Sequence, residues 1–81
     1  ARYFSRLYQM YRDQGIDNEE SWNFAAGAYN AGMGNIGKAM NLLSDEDRSN
    51  WDRVAGVLPR ITGVSSGETI RYVDRLRSSM A

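Results

Sequence analysis

Apolar side chains recur along the first part of the chain with the spacing of an α-helix. Four of them lie at positions i, i+3, i+4 and i+7 and therefore share one helical face: Phe4, Leu7, Tyr8 and Tyr11. Gly15 follows them, and glycine is the residue that most often ends a helix. The pattern predicts an amphipathic first helix that stops near Gly15.

A second helix is indicated from Asp17 onward. Asp17 and Glu20 have the spacing of a capping box, in which the first side chain accepts a hydrogen bond from a backbone N–H three residues later. The positions that follow are rich in alanine and aromatic residues: Trp22, Phe24, Ala25, Ala26, Ala28 and Tyr29. Gly32 and Gly34 interrupt this run, so we expect the helix to end there.

The next two segments also have helical periodicity. A third apolar face is formed by Met33, Ile36, Met40 and Leu43. Ser44 is expected to cap a fourth helix, because serine is a favoured N-cap residue. That helix would carry Trp51 and Val54 and end near Pro59.

A last helix is predicted near the C-terminus. Ser65 and Glu68 repeat the capping-box spacing ahead of a final apolar face: Ile70, Val73, Leu76 and Met80. No stretch alternates with the period of a β-strand. The sequence therefore predicts an all-α fold of about five short helices, with residues 56–67 as the least regular part.

Glycine is concentrated in one place. Four glycines lie within eleven residues: Gly27, Gly32, Gly34 and Gly37. Because glycine inside a helix costs up to about 1 kcal/mol relative to alanine, the cluster indicates a specific need. A close backbone approach, a turn with positive φ, a surface kept open for a ligand, or a tight turn between two packed helices would each explain it.

Composition excludes several functional classes. The 81 residues include ten basic and ten acidic side chains, scattered rather than concentrated, which is not the basic patch of a nucleic-acid-binding protein. Cysteine and histidine are absent, which removes disulfides, thiolate metal sites and the commonest general base. No apolar run is long enough to form a transmembrane segment.

Residues 24–38 read FAAGAYNAGMGNIGK, and the central AYNAG followed by one residue and glycine resembles a hallmark of lytic transglycosylases. Three more segments resemble that family in the expected order. They are ARYF with a later leucine at residues 1–7, W-x-x-V-x-x-x-L-P at residues 51–59, and ET-x-x-YV at residues 68–73. The chain is therefore similar to soluble lytic transglycosylase-type, goose-lysozyme-like domains, and its spacing resembles the membrane-bound lytic murein transglycosylase F type.

The resemblance implies a fold and an activity. Residues 1–81 would be the C-terminal part of a single lysozyme-like domain that acts on peptidoglycan glycan strands in the cell envelope, periplasmic or outer-membrane-associated. A family glutamate cleaves the bond between N-acetylmuramic acid and N-acetylglucosamine and leaves a 1,6-anhydro product, with no metal or organic cofactor. That glutamate belongs to an E-S-x-F motif followed by a G-L-M-Q-like segment.

We expect this glutamate to lie upstream, in a missing N-terminal half, so that the isolated chain is inactive. Glu20-Ser21 imitates the motif but follows residues 1–7, which should come after it, and no G-L-M-Q-like segment succeeds it. Glu20 is better interpreted as a capping acid. A non-catalytic peptidoglycan-binding or scaffold module of the same fold is the alternative, and a generic helical interaction domain is a third interpretation.

Five residues are candidates for substrate binding through the resemblance: Tyr29, Asn30, Gly32, Glu68 and Tyr72. Tyr29 would line the sugar cleft, Asn30 would help to hold the turn, and Tyr72 would reach toward the catalytic glutamate. On its residue type alone, Tyr29 is better interpreted as a core aromatic with its hydroxyl at the rim, and the resemblance reverses that preference. Glu68 could contact a peptide stem of the substrate or cap its own helix with Ser65, and the capping role is favoured.

The other large side chains are expected to be structural. Core or inter-helix anchors are Trp22, Phe24 and Trp51. A packed aromatic stripe is predicted from Tyr3, Tyr8 and Tyr11, and gap-filling roles from Met10, Met33 and Met40. The arginines, including Arg71 and Arg75, are expected on a solvated face.

Overall fold

Six α-helical segments and two short 3₁₀ turns follow one another in the computed structural model, which describes residues 2–80. The α-helices are α1 (Arg2–Asp13), α2 (Asn18–Ala31), α3 (Met33–Met40), α4 (Trp51–Val57), α5 (Pro59–Thr62) and α6 (Ser66–Met80). The 3₁₀ turns are Asp47–Ser49 and Gly63–Ser65. The described range contains no strand, and the all-α prediction is confirmed. Ala1, at the start of the first motif, and the Met80 side chain, predicted on the last apolar face, lie outside the described residues.

Helix α2 is the centre of the molecule and packs against α1 on one side and α6 on the other. Its inward face consists of Phe24 and three alanines, all essentially buried. Small alanine side chains let the neighbouring helices approach closely, while Phe24 fills the space between them. The remaining buried side chains come from the other helices and from the loop after α1: Leu7, Tyr11, Ile16, Ile36, Ala39, Met40, Trp51, Val54, Leu58 and Val73.

Trp51 lies against the backbone of α2 at Gly27. A Cβ atom placed on Gly27 would lie 2.4 Å from Cη2 of the indole, which is closer than real Cβ atoms come to other atoms. The indole also meets the Phe24 ring edge-on, with centroids 5.6 Å apart. Gly27 is therefore required by a close approach, and the core positions predicted for Trp51 and Phe24 are confirmed.

The start of α2 has half of the predicted capping box. The backbone N–H of Glu20 donates to Oδ1 of Asp17 at 2.8 Å. The Glu20 carboxylate does not complete the box, since its Oε1 accepts from Nδ2 of Asn23 at 3.0 Å and from the backbone N–H of Trp51 at 3.3 Å. Glu20 consequently links α2 to the first residue of α4 through a hydrogen bond.

The predicted start of the fourth helix at Ser44 is wrong. Oγ of Ser44 caps only a 3₁₀ turn, accepting from the backbone N–H of Asp47 at 3.3 Å. The chain then becomes extended at Asn50, whose Oδ1 accepts from the backbone N–H of Arg53 at 3.3 Å. Asparagine is as good an N-cap as serine, and Asn50 lies where Trp51 can enter the core.

The prediction that residues 56–67 are the least regular part is also wrong, because this segment is almost entirely helical. Pro59 opens α5 instead of ending a helix, since its fixed φ suits the first helical position. The capping pair of Ser65 and Glu68 is not formed within the described residues. Ser66 Oγ instead donates to the carbonyl oxygen of Gly63 at 2.7 Å, where a 3₁₀ turn leads into α6. The least regular described residues are 41–50.

The aromatic stripe on α1 is only partly packed. Tyr11 is buried and Tyr8 stacks on Trp22 with ring centroids 3.9 Å apart, which confirms Trp22 as an inter-helix anchor. Tyr3, however, is 51% exposed, so its predicted place in a packed stripe is wrong. It lies in the first turn of α1, where its ring is next to that of Tyr29, itself half exposed in the last turn of α2.

The predicted gap-filling role of methionine holds at two positions and fails at one. Met40 is buried and Met10 packs partly against the core. Met33 is 45% exposed because it is the first residue of α3, immediately after the chain turns at Gly32.

Candidate functional site

The AYNAG segment ends α2 and turns the chain into α3. Gly32 adopts φ of +96°, a conformation that side chains disfavour, and its N–H donates to the Ala28 carbonyl oxygen at 2.8 Å. Its own carbonyl accepts from the Ile36 N–H at 3.2 Å inside α3. One residue thus joins two helices, and Tyr29 and Asn30 remain exposed in the last turn of α2.

Tyr29 meets Tyr72 across the interface between α2 and α6. The two ring centroids are 6.4 Å apart and the ring planes differ by 14°. Tyr29 is 50% exposed and Tyr72 is half-buried, while the neighbouring Val73 is fully buried. Helical geometry explains this difference, because consecutive residues point about 100° apart and Val73 can anchor α6 while Tyr72 faces outward.

Asn30 is held by a residue that the sequence analysis did not single out. Oγ1 of Thr69 donates to Oδ1 of Asn30 at 2.7 Å. Thr69 is only 2% exposed, so its hydroxyl group is fixed by its surroundings. Thr69 is the threonine of the ET-x-x-YV segment, and its place in that segment is the signal that could have identified it.

A cleft of about 450 Å³ opens beside this hydrogen bond. The side chains that line it are predominantly polar: Asn30, Ala31, Asn35, Ile61, Thr62, Ser65, Glu68 and Thr69. Glu68 therefore lies at the cleft and not in a capping interaction. Asn35, which the sequence analysis also missed, donates from Nδ2 to the Ala31 carbonyl oxygen at 2.8 Å and so closes the end of α2.

The five candidate residues thus come together at one end of the molecule. Tyr29 and Tyr72 form an aromatic pair, Asn30 and Glu68 line the cleft beside it, and Gly32 makes the turn that ends α2. This arrangement offers ring faces, hydroxyl groups, an amide and a carboxylate over a short distance. What these residues bind stays a prediction.

Tyr3 adds a further aromatic ring to this end of the molecule. Its ring centroid lies 6.1 Å from that of Tyr29. The ring of Phe4, which follows Tyr3 in α1, lies 5.6 Å from the Tyr29 ring. Periodicity could not reveal this position, since it assigns Tyr3 and Tyr11 to one stripe without showing how much of each side chain its neighbours cover.

Titratable groups with shifted pKa values lie away from the cleft. Burial raises the pKa of Tyr11 to about 12, and the neighbouring Tyr3 adds to the rise. A hydrogen bond to Asp52 of α4 raises the pKa of Arg77 in the last turns of α6. Within residues 2–80, no three histidine, cysteine, aspartate or glutamate side chains come together in a group that could hold a metal ion.

None of the helices described between residues 2 and 80 combines the length and the apolar character needed to cross a membrane.

Comparison with known proteins identifies the family. Residues 1–52 match the family described as the Transglycosylase SLT domain. The chain is 34% identical over 74 residues to the membrane-bound lytic murein transglycosylase F of Maricaulis maris (strain MCS10), a match that covers 89% of this chain and 16% of that relative. No solved structure matches the chain. With its AYNAG turn and the ET-x-x-YV helix packed beside it, the chain belongs to the Transglycosylase SLT domain family.

Proposed function

We propose that this chain forms the C-terminal part of the sugar-binding cleft of a lytic transglycosylase that cleaves peptidoglycan glycan strands. The bond cleaved is the β-1,4 bond between N-acetylmuramic acid and N-acetylglucosamine. The proposal rests on the family match and on the identity over most of this chain with a lytic murein transglycosylase. The single observation that carries the site is the convergence of Tyr29, Tyr72 and Asn30 where α2 ends.

The reaction needs one carboxyl group that first gives and then takes a proton. As acid, it protonates the glycosidic oxygen, so that the bond from C1 of N-acetylmuramic acid breaks and N-acetylglucosamine leaves with a free 4-hydroxyl group. As base, the carboxylate takes the proton of the muramoyl C6 hydroxyl while that oxygen bonds to C1. The product is a 1,6-anhydro sugar, and no water is consumed.

The catalytic glutamate in this proposal lies upstream of residue 1. Glu20 is unsuited to the role, because its carboxylate is engaged by Asn23 and by the backbone of Trp51 at the junction of α2 and α4. Glu68 is exposed at the cleft, where it is placed to contact the substrate. Residues of this chain thus bind and orient the glycan while the upstream residue performs the proton transfers.

Each candidate residue has a distinct part in this binding. The ring faces of Tyr29 and Tyr72 suit the apolar C–H faces of a sugar, and their hydroxyl groups suit its polar rim. Because the side-chain oxygen Oδ1 of Asn30 accepts from the Thr69 hydroxyl group, Nδ2 of Asn30 remains available to donate to an acetamido or hydroxyl oxygen of the sugar. Gly32 keeps the turn beside them free of a side chain.

A cell-envelope location follows from this substrate, either periplasmic or associated with the outer membrane. The relative from Maricaulis maris is named as membrane-bound, which supports a position at the envelope. Glycan strands are then the partner, and no nucleic acid or cofactor takes part.

The experiment that tests the proposal is digestion of purified peptidoglycan by the full-length protein, with the products analysed by mass spectrometry. We expect muropeptides that end in 1,6-anhydro-N-acetylmuramic acid. Tyr29→Ala and Tyr72→Ala should lower the rate, and Leu42→Ala, which changes an exposed residue outside the cleft, should not. Products with a reducing end would instead indicate hydrolysis and contradict the proposed chemistry.

The alternative is a peptidoglycan-binding or scaffold module without activity. It would be supported if the full-length protein sedimented with peptidoglycan and released no soluble products under any condition. In that case Tyr29→Ala should weaken sedimentation, because the binding surface would be the same.

A further inference from the structure

Three tyrosines from three different helices form a continuous row across the surface. Tyr3 on α1 lies 6.1 Å from Tyr29 on α2, and Tyr29 lies 6.4 Å from Tyr72 on α6, measured between ring centroids. The Tyr3 and Tyr29 side chains are each about half exposed, at 51% and 50%. The row extends the site from the α2–α6 interface onto the first turn of α1.

Core or inter-helix packing accounts for the aromatic residues outside this row, but not for Tyr3. Phe24, Trp51 and Tyr11 are buried, and the remaining ones on this side pack against one another between α1 and α2: Phe4, Tyr8 and Trp22. The Tyr8 hydroxyl also has a partner, since it donates to Oδ1 of Asn18. Tyr3 lies at the edge of this group and stays about half exposed.

We propose that Tyr3 is a third sugar-contacting residue, which binds a second sugar of the strand next to the one held by Tyr29 and Tyr72. This inference rests on the proposed function and names a further binding position within the same site. A tyrosine supplies an apolar ring face together with a hydroxyl group, which is the combination that a pyranose ring can use. The tilt of 41° between the Tyr3 and Tyr29 rings means that the two faces receive successive sugars at different angles.

A glycan fits this surface better than an apolar protein segment would. The row contains only tyrosines, so every ring in it carries a polar group. Its middle member, Tyr29, directly precedes Asn30, which lines the cleft together with Glu68. Ligand sites that combine ring faces with a few placed polar groups bind ligands of the same mixed character.

The test is a titration of the full-length protein with a soluble tetrasaccharide of alternating N-acetylglucosamine and N-acetylmuramic acid, followed by NMR of backbone amides and tyrosine rings before the ligand is cleaved. We expect shifts at Tyr3 as well as at Tyr29 and Tyr72. Tyr3→Ala should raise the Kd by roughly threefold to tenfold, the loss expected for one aromatic contact. Tyr3→Phe should stay within about twofold of the unchanged chain, because it keeps the ring face.

Leu42→Ala is the matched control, since Leu42 is 49% exposed and lies outside the tyrosine row. It should leave the Kd unchanged, and amide dispersion should show that each variant is folded. Shifts at Tyr29 and Tyr72 with an unchanged Kd in Tyr3→Ala would overturn the Tyr3 assignment alone. An absence of shifts at every residue would also overturn it, whereas the proposed function is decided separately by the digestion products of the full-length protein.

Discussion

The hydroxyl group of Thr69 donates a hydrogen bond of 2.7 Å to the side-chain oxygen of Asn30, from a position 39 residues further along the chain. This bond links the end of α2 to the first turn of α6 and sets the orientation of the Asn30 amide. The Nδ2 group is thereby left as the free donor beside the cleft. A buried threonine thus determines what an exposed asparagine offers to a ligand.

Replacing Thr69 with valine should weaken both this link and glycan binding. Valine has nearly the same shape but cannot donate, so we expect the free energy of unfolding to fall by about 1 kcal/mol. In a protein that already carries Asn30→Ala, Thr69→Val should lower the free energy of unfolding by less, because the acceptor of the Thr69 hydrogen bond is already absent. Urea denaturation of the two single variants and the double variant measures this coupling. Thr62→Val is the control, since Thr62 lines the same cleft and its hydroxyl group bonds to the Leu58 carbonyl. Equal effects of Thr69→Val and Thr62→Val on glycan binding would contradict the role given to the bond between Thr69 and Asn30.

Two glycines in helices should respond to alanine in opposite directions. Gly27→Ala would drive a Cβ to 2.4 Å from the Trp51 ring, so we expect destabilisation of about 1–3 kcal/mol despite the better helix propensity of alanine. Gly37→Ala meets no atom within 4 Å and should gain about 0.5–1 kcal/mol. Thermal unfolding of both variants checks this, and a stable Gly27→Ala protein would show that Trp51 can move aside.

Glu20 should prove structural in any assay of the full-length protein. Glu20→Gln keeps an oxygen that can accept from Asn23 and from the Trp51 N–H, so activity should be retained and stability should change little. Glu20→Ala removes the acceptor and should cost about 1–3 kcal/mol, with activity lost only as far as folding is lost. An inactive but fully folded Glu20→Gln variant would assign a chemical role to this carboxylate.

Tyr11 should make the fold sensitive to alkali. Burial raises the pKa of its phenol to about 12, against 10.0 for an unperturbed tyrosine. Between these two values the unfolded chain loses the proton while the folded chain keeps it, so the free energy of unfolding falls as the pH rises. Denaturation at pH 9 to 12 should show a steeper fall for the unchanged chain than for Tyr11→Phe. Parallel curves would mean that other groups cause the alkaline unfolding.

Much of the fold could be predicted from the sequence because its determinants are local. Periodicity located α1 and α2, and the spacing of Asp17 and Glu20 found a real N-cap. Gly27 could be recognised as unusual within a helix, although only the structure shows that Trp51 is the reason.

The sequence-based predictions were wrong where two residues suit the same local role and tertiary packing decides which of them takes it. Ser44 and Asn50 are both good N-caps, and α4 begins after Asn50 because Trp51 must reach Gly27. Tyr3 and Tyr11 share one periodic stripe, but only Tyr11 lies where neighbouring residues cover it. The bond between Thr69 and Asn30 joins distant parts of the chain, so no local pattern could reveal it.

Ending α2 at the AYNAG turn also has an electrostatic consequence. The helix has Glu19 and Glu20 in its first turn and no basic residue in its last. Its aligned peptide dipoles amount to roughly half a negative charge at the C-terminal end, while the N-terminal end of α3, one residue further on, carries the opposite partial charge. The cleft is lined by Asn30 and Ala31 from the end of α2 and by Asn35 from the first turn of α3, so a ligand there would meet carbonyl groups of one helix end and N–H groups of the other. The turn made by Gly32 thus places an acceptor end of one helix and a donor end of the next side by side at the cleft.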